Sequence, residues 1–355
     1  MPMVLVTACG GGDSPSGPST TPSGPTSDIA AIVFYDENGN GRIDPTEGTR
    51  LPDIVVEVAG RSGRTERASG HAAITGVAAG TQMLSIRQSS LPAYYRAGTA
   101  TSVSLPQDAG REFMLPVTLA VGSNTPNRYL EFGNSITEGD GSSDGDGYRG
   151  RLEQRLVAQL NRANVFKDGI GGTTSDEGAN RIGRSISGFR PAYVLILYGT
   201  NDWNQSACNS DISRCFTASA IQSMIRSAKA ASSLPIVSTI IPANTGFDAR
   251  APADRNIRVQ QQNDQIRAAC LAEGVPLAES FDAFMRAAGS NLRSLFVDHV
   301  HPNDRGHDLI AQSFFEAITR ASAGSSFRDG PMLIGFARPD ARPKGRAARG
   351  MDAPG

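Results

Sequence analysis

The chain's 355 residues exceed what one hydrophobic core usually spans, so more than one domain is expected. Its 34 Lys and Arg against 35 Asp and Glu leave a net charge of −1, which excludes the broad positive field that recruits nucleic acid or an anionic membrane face. The 39 glycines and 21 prolines gather at the two ends and in loops, and no segment is long and apolar enough to cross a bilayer as a helix.

Residues 3–8, Met-Val-Leu-Val-Thr-Ala, form an apolar run that stops at Cys9. Val6-Thr7-Ala8-Cys9 resembles a bacterial lipobox, which implies a lipidated Cys9, an exported protein of the cell envelope or exterior, and membrane contact only through that anchor. No basic segment precedes the run, so two readings stand: a lipoprotein signal whose start lies upstream, or an apolar terminus by chance. The Gly-, Ser-, Pro- and Thr-rich stretch that follows cannot bury a core, and residues 1–28 read as signal remnant and flexible tether.

Between residues 29 and 121 short strands are expected at Ala31–Tyr35, Ile54–Val58, Met83–Ile86, Thr101–Leu105 and Phe113–Leu119, with no amphipathic helix among them. Such spacing predicts a small all-β sandwich. Residues 36–47 fit a twelve-residue calcium loop, with oxygen-bearing Asp36, Asn38, Asn40, Asp44 and Glu47 at positions 1, 3, 5, 9 and 12, Arg42 at position 7 and Gly41 at the sixth place. Calcium takes about six to eight oxygens, and a glycine there permits the turn that points them inward. The alternative is an Asn/Gly-rich turn that binds nothing. Since strands are expected on both sides, Ile32–Val58 resembles the calcium-binding B-type repeats of bacterial surface proteins more than an EF-hand, which implies a spacer stiffened by structural calcium.

From residue 126 to 322 the pattern becomes α/β. Helices are expected at Tyr148–Leu160, Ala218–Ala231, Ile257–Ala272 and Asp308–Ile318, the first carrying Leu152, Leu156 and Leu160 on one face. Tyr193–Tyr198 and Ile236–Ile241 are unbroken apolar runs, as expected of parallel strands covered on both faces. Cys208 and Cys215 stand seven apart in a polar stretch, where an oxidising compartment favours a disulfide but two free thiols remain open; Cys270 reads as a small core residue. Residues 323–355 are Arg-, Gly- and Pro-rich without periodicity and read as a disordered basic tail.

Four short blocks carry the chemistry. Tyr129 to Gly139 reads as a strand ending in Gly133-Asn134-Ser135, without the Gly-x-Ser-x-Gly of a nucleophile elbow. A lone Gly-x-Ser is more often a turn than a nucleophile, but here Gly171-Gly172-Thr173-Thr174, Gly199-Thr200-Asn201-Asp202 and Asp298-His299-Val300-His301-Pro302-Asn303 follow in order. With these blocks, 128–321 resembles the SGNH (GDSL-like) hydrolases. The resemblance implies a flavodoxin-like three-layer α/β domain, with Ser135 as nucleophile, Asp298 and His301 completing the triad, and Ser135, Gly172 and Asn201 as oxyanion-hole donors. No cofactor is expected for catalysis.

The family's usual Gly-Asp-Ser is Gly-Asn-Ser here, which removes a charge beside the serine but keeps hydrogen-bonding capacity. His299, His307 and His71 compete with His301 for the base role but read as surface or capping residues, and Asp202 reads as a loop carboxylate bonded to turn amides. The opening block and Tyr148-Arg149 resemble carbohydrate esterases, which implies an acetylated polysaccharide as the ester partner; Trp203 would stack on a sugar or simply pack. A lipase or lysophospholipase on the same fold, and a non-catalytic surface adhesin, are the competing readings.

Overall fold

The computed structural model describes residues 24–210 and 212–320. Cys9, nearly all of the expected tether and the 323–355 tail lie outside the described residues.

Eight strands come first: β1 (Thr26–Tyr35), β2 (Val55–Val58), β3 (Arg61–Arg64), β4 (His71–Ala78), β5 (Gly80–Ile86), β6 (Arg96–Ala97), β7 (Thr101–Leu105) and β8 (Glu112–Thr118). They form two four-stranded sheets, ordered β4-β1-β8-β6 and β3-β2-β5-β7. Alternation turns Ile29, Ala31 and Val33 of β1 and Phe113, Leu115 and Val117 of β8 into one core with Val56, Val58, Leu84 and Val103 of the other sheet. Every strand expected from the sequence falls on one of these. Missing from that expectation were β3, β4 and β6, because Arg61–Arg64 is polar and largely exposed, β4 mixes Ala and Gly into its alternation, and β6 is two residues long.

In the second half each strand is followed by one or two helices: β9 (Thr125–Gly133), α1 (Ser135–Glu138), α2 (Arg149–Leu160), β10 (Asn164–Gly169), α3 (Ser175–Phe189), β11 (Pro191–Leu197), α4 (Ser206–Ser210), α5 (Thr217–Ala230), β12 (Leu234–Ser238), α6 (Arg255–Glu273), β13 (Leu277–Ala278), α7 (Ser280–Ala288) and α8 (Asp304–Thr319). The sheet is parallel and ordered β10-β9-β11-β12-β13, the flavodoxin-like order. β11 is buried along its whole length because both its faces are covered. Tyr193, Leu195 and Leu197 join the cluster holding Leu152, Leu156 and Leu160 of α2 and Ile310, Phe314 and Ile318 of α8. Val194 and Ile196 join the other, with Ile182 and Ile186 of α3, Ile221 and Met224 of α5, and Ile266 of α6. These are the three layers.

The apolar run expected as a strand to Ile241 leaves the sheet after Ser238, although Ile240 and Ile241 stay buried. Helix α3 was not foreseen. It carries three glycines and buries only Ile182 and Ile186 of its large apolar residues, so periodicity is weak; its start is fixed instead by a capping box in which Thr174 and Glu177 bond each other's backbone N–H. Glu131 interrupts the apolar run of β9, fully buried and without a hydrogen-bond partner among the described residues.

The β-sandwich and the α/β layers share one apolar cluster. Tyr129 stacks on Tyr193 at 4.8 Å, Tyr94 meets the same ring edge-on, and the Tyr94 hydroxyl donates to the Pro235 carbonyl at 2.6 Å.

Candidate active site

The switch point of this strand order lies between β9 and β11, and ligands of open parallel sheets bind beyond the carboxyl ends of such strands. Ser135 follows β9 directly, and Asn201 follows β11. Gly133 ends β9 because nothing larger fits: a Cβ there would lie 2.6 Å from the Leu197 carbonyl oxygen and overlap the Thr137 side chain. Asn134 caps α1, its Oδ1 accepting the Ile136 N–H at 3.1 Å, which is the capping service an aspartate would give. Its buried Nδ2 finds no hydrogen-bond partner among the described residues, a cost that the aspartate of the usual motif would not incur.

Ser135 Oγ lies 2.9 Å from His301 Nε2, and His301 Nδ1 lies 2.7 Å from Asp298 Oδ2. The loop before α8 holds the pair: Asp298 Oδ1 accepts the Val300 and His301 amides at 2.8 and 2.7 Å, while Asn244 donates to the Asp298 carbonyl. Burial pushes the Asp298 carboxyl up, but those two amides and the imidazole outweigh it and hold its pKa below the ordinary value. The serine is 8 % exposed.

Gly172 sits at φ +77° in the turn after β10, with open space where a Cβ would be. That turn is anchored at both ends: Glu138 accepts the Gly171 N–H at 2.7 Å, and the Asn201 side-chain amide donates to the Thr173 carbonyl at 3.0 Å. A Cβ on Gly171 would come within 4.0 Å of Ser135 Cβ, so the turn lies against the serine. The structure therefore joins Ser135, the Gly172 turn and Asn201 into one contiguous wall. Such a wall can present N–H donors to an oxyanion formed at the serine.

Several supporting residues escaped the sequence reading. Glu138 sits in the first block as an ordinary helix acid, and its contact with Gly171 depends on a turn thirty-three residues later. Arg181 of α3 donates to the Gly133 and Asp168 carbonyls and pairs with Asp168 at 2.9 Å, tying the ends of β9 and β10 together. Asp140 reaches within 3.8 Å of His301 Nε2.

The rival histidines are placed elsewhere. His307, expected near a helix start at Asp308, is fully buried within α8, which begins at Asp304 with Asn303 as its cap. Its Nε2 lies 3.0 Å from the Asp140 carbonyl oxygen, and burial pulls its pKa down to about 4, so it is a neutral structural residue and not a surface one. His299 turns away from the serine, with Nδ1 3.8 Å from Asp298 Oδ1; His71 pairs with Glu112 in the sandwich. Asp202 accepts the Ser175 amide and the Ser175 and Thr217 hydroxyls, a buried anchor for the Asn201 loop. Cys208 and Cys215 are joined in a disulfide beside that loop, and Cys270 is free and buried.

In the β1–β2 loop, Asp36 and Glu47 are only 4 % and 2 % exposed and have no ion-pair partner among the described residues. Asp36 accepts the Gly39, Asn40 and Gly41 amides; Glu47 accepts those of Glu37, Asn38 and Asp44. Asn38 and Asn40 turn their NH2 groups onto Asp44 at 2.6 and 2.8 Å, and Arg42 is exposed, its amide bonded to Asn40. Among the described residues no three His, Cys, Asp or Glu side chains are arranged as a metal site. The all-oxygen donor set and the unpaired buried carboxylates nevertheless suit a hard cation in kind, once Asn38 and Asn40 present their oxygens.

The sequence profile of the GDSL-like lipase/acylhydrolase family matches residues 132–309, and the chain belongs to that family. It is thus a hydrolase of the esterase type. Among solved structures, a GDSL-like lipase from Bacteroides thetaiotaomicron is 24% identical over 55% of this chain and 89% of its own, with a TM-score of 0.43. A lipase/acylhydrolase from Enterococcus faecalis is 19% identical over 54% and 95%, at TM-score 0.45. An acetylxylan esterase from Geobacillus stearothermophilus is 20% identical over 55% and 95%, at TM-score 0.46. A search of curated proteins finds no match.

Proposed function

We propose that the protein is a serine esterase that removes acetyl groups from a polysaccharide. The observation that carries this reading is the Ser135–His301–Asp298 relay, at 2.9 and 2.7 Å. His301 Nε2 takes the hydroxyl proton as Ser135 Oγ attacks the ester carbonyl, and Asp298 steadies the imidazolium so formed. The Ser135 and Gly172 N–H groups and the Asn201 amide receive the oxyanion. His301 then returns the proton to the leaving sugar oxygen; a water, activated by the same nitrogen, releases acetate from the acyl-Ser135.

The short acyl group is favoured by the polar loops that follow the two strands flanking the serine. Asp140, Ser142, Ser143 and Asp144 follow α1, and Asn201 and Asn204 follow β11, so these loops offer a long chain little apolar surface to bury. Acetyl esters should be hydrolysed with kcat/KM about tenfold or more above octanoyl esters, and acetate should be released from an acetylated polysaccharide. A chain-length profile peaking at eight carbons or beyond would move the assignment to a lipase.

Calcium has a separate, structural place in this proposal. Asp36, Asn38, Asn40, Asp44, Glu47 and the Arg42 carbonyl would hold it, and no step of the chemistry involves it. An ion that binds only the folded chain stabilises it by about 2.7 kcal/mol at a hundredfold excess over Kd. Chelation should lower the calorimetric unfolding temperature by several degrees and leave hydrolysis of a small soluble ester unchanged. An unmoved transition would remove calcium from the account.

A further inference from the structure

Beside Asn201 opens a cavity of about 300 Å³, whose wall continues through His299 and Val300, the two residues lying between Asp298 and His301 in sequence. Four of its wall residues carry buried polar atoms with no hydrogen-bond partner among the described residues: Thr200 Oγ1, Trp203 Nε1, Arg255 Nε and His299 Nδ1. Thr200 and Trp203 are only 8 % and 7 % exposed. Two of the four, Trp203 Nε1 and Arg255 Nε, can only donate, and the Thr200 hydroxyl and His299 Nδ1 are able to; an unmet buried donor is costly unless a ligand meets it.

The charges around the cavity do not cancel. Arg250 is paired with Asp248, and Arg258 with Asp254 at 3.2 Å. Arg255 has no carboxylate within ion-pair distance among the described residues. Among the described residues it donates to main-chain carbonyls, those of Arg250 at 2.6 Å and Thr200 at 3.3 Å, and its guanidinium lies 5.5 Å from the Trp203 ring centroid. Burial lowers its pKa with no nearby acid to offset the effect. A desolvated guanidinium without a counter-ion is expensive to keep, and it is the residue type best suited to a planar oxyanion.

We propose that this cavity binds a monoanionic group carried by the polysaccharide, a uronate carboxylate or a sulfate ester, and so selects acidic glycans for deacetylation at Ser135. Arg255 supplies a charge with no carboxylate partner among the described residues; the Trp203 N–H and Thr200 hydroxyl supply neutral donors beside it. This specificity rests on the esterase reading above.

The test compares kcat/KM on acetylated uronate oligosaccharides, on the same oligosaccharides with the carboxyls reduced to hydroxymethyl groups, and on acetylated sulfated neutral ones. p-Nitrophenyl acetate serves as the uncharged reference. The wild-type enzyme should prefer at least one anionic substrate to the reduced one by about tenfold or more, and the anionic arm that wins identifies the group. Added salt should weaken the preference, and Arg255→Gln should bring the ratio towards one; Trp203→Phe, which keeps an aromatic ring of smaller size but removes the N–H, should narrow it in part. Equal or better turnover of the reduced substrate, or a preference that survives in a folded Arg255→Gln enzyme, overturns the proposal. Hydrolysis of p-nitrophenyl acetate without any anionic preference overturns it alone, whereas no turnover of any ester overturns the esterase reading beneath it.

Discussion

Ser135→Ala is expected to lower kcat on a short acyl ester by about a millionfold, and His301→Ala by a similar factor, while both proteins keep the wild-type melting temperature. Ser135 Oγ makes its hydrogen bond to His301, and among the described residues that imidazole is otherwise hydrogen-bonded to Asp298, with Asp140 at 3.8 Å, so neither side chain is a main tie between the core elements. What the pair contributes is reactivity: a serine hydroxyl is a weak nucleophile until a base near neutral pKa accepts its proton. Losing either member leaves the Gly172 turn and Asn201 in place, so some rate above the uncatalysed reaction should persist. Kinetics and thermal melting of the same samples check both halves, and wild-type rates in either variant would sink the triad.

Asp298→Asn should cost about 10⁴-fold in kcat with little change in stability. Oδ1 of Asp298 accepts two backbone amides, from Val300 and His301, and an asparagine would keep its oxygen there because an NH2 group cannot accept them. Its NH2 would then face His301 Nδ1, where the carboxylate now sits at 2.7 Å. That contact forces the proton of the neutral imidazole onto Nε2, the nitrogen that must receive the serine proton. The base would be held in the right place in the wrong tautomer. A rate within tenfold of wild type would mean that Asp298 is not the orienting acid.

The parts of this site that were legible in the sequence are those whose chemistry is local. Gly133-Asn134-Ser135 states a strand end and a cap within three residues, and Asp298 and His301 sit on one turn in a block whose resemblance to the SGNH pattern implied their partnership. The core of α2 was equally plain, since Leu152, Leu156 and Leu160 repeat on one helical face. What escaped depends on folding. Glu138 meets Gly171, Asn244 meets the Asp298 loop and Arg181 clasps two strand ends, and each contact joins segments far apart in the chain. Helix α3, which carries Arg181, was hidden by Gly178, Gly183 and Gly188; Gly178 is there because a Cβ would meet the Tyr198 ring at 2.7 Å. The capping box at Thr174–Glu177 was a local signal that could have found it. The start of α8 was set four residues late for a similar reason: apolar periodicity begins after its cap, Asn303, which lies inside the catalytic block.

The central claim is that Ser135 is the nucleophile and that His301 makes it one. The most direct measurement is covalent trapping: incubation with an alkyl fluorophosphonate, which forms a stable serine ester in place of the acyl-enzyme, followed by peptide mass mapping. The account predicts one adduct per chain, on Ser135, formed in step with loss of esterase activity and strongly slowed in His301→Ala. An adduct on another residue, or undiminished activity in protein fully modified at Ser135, would contradict it.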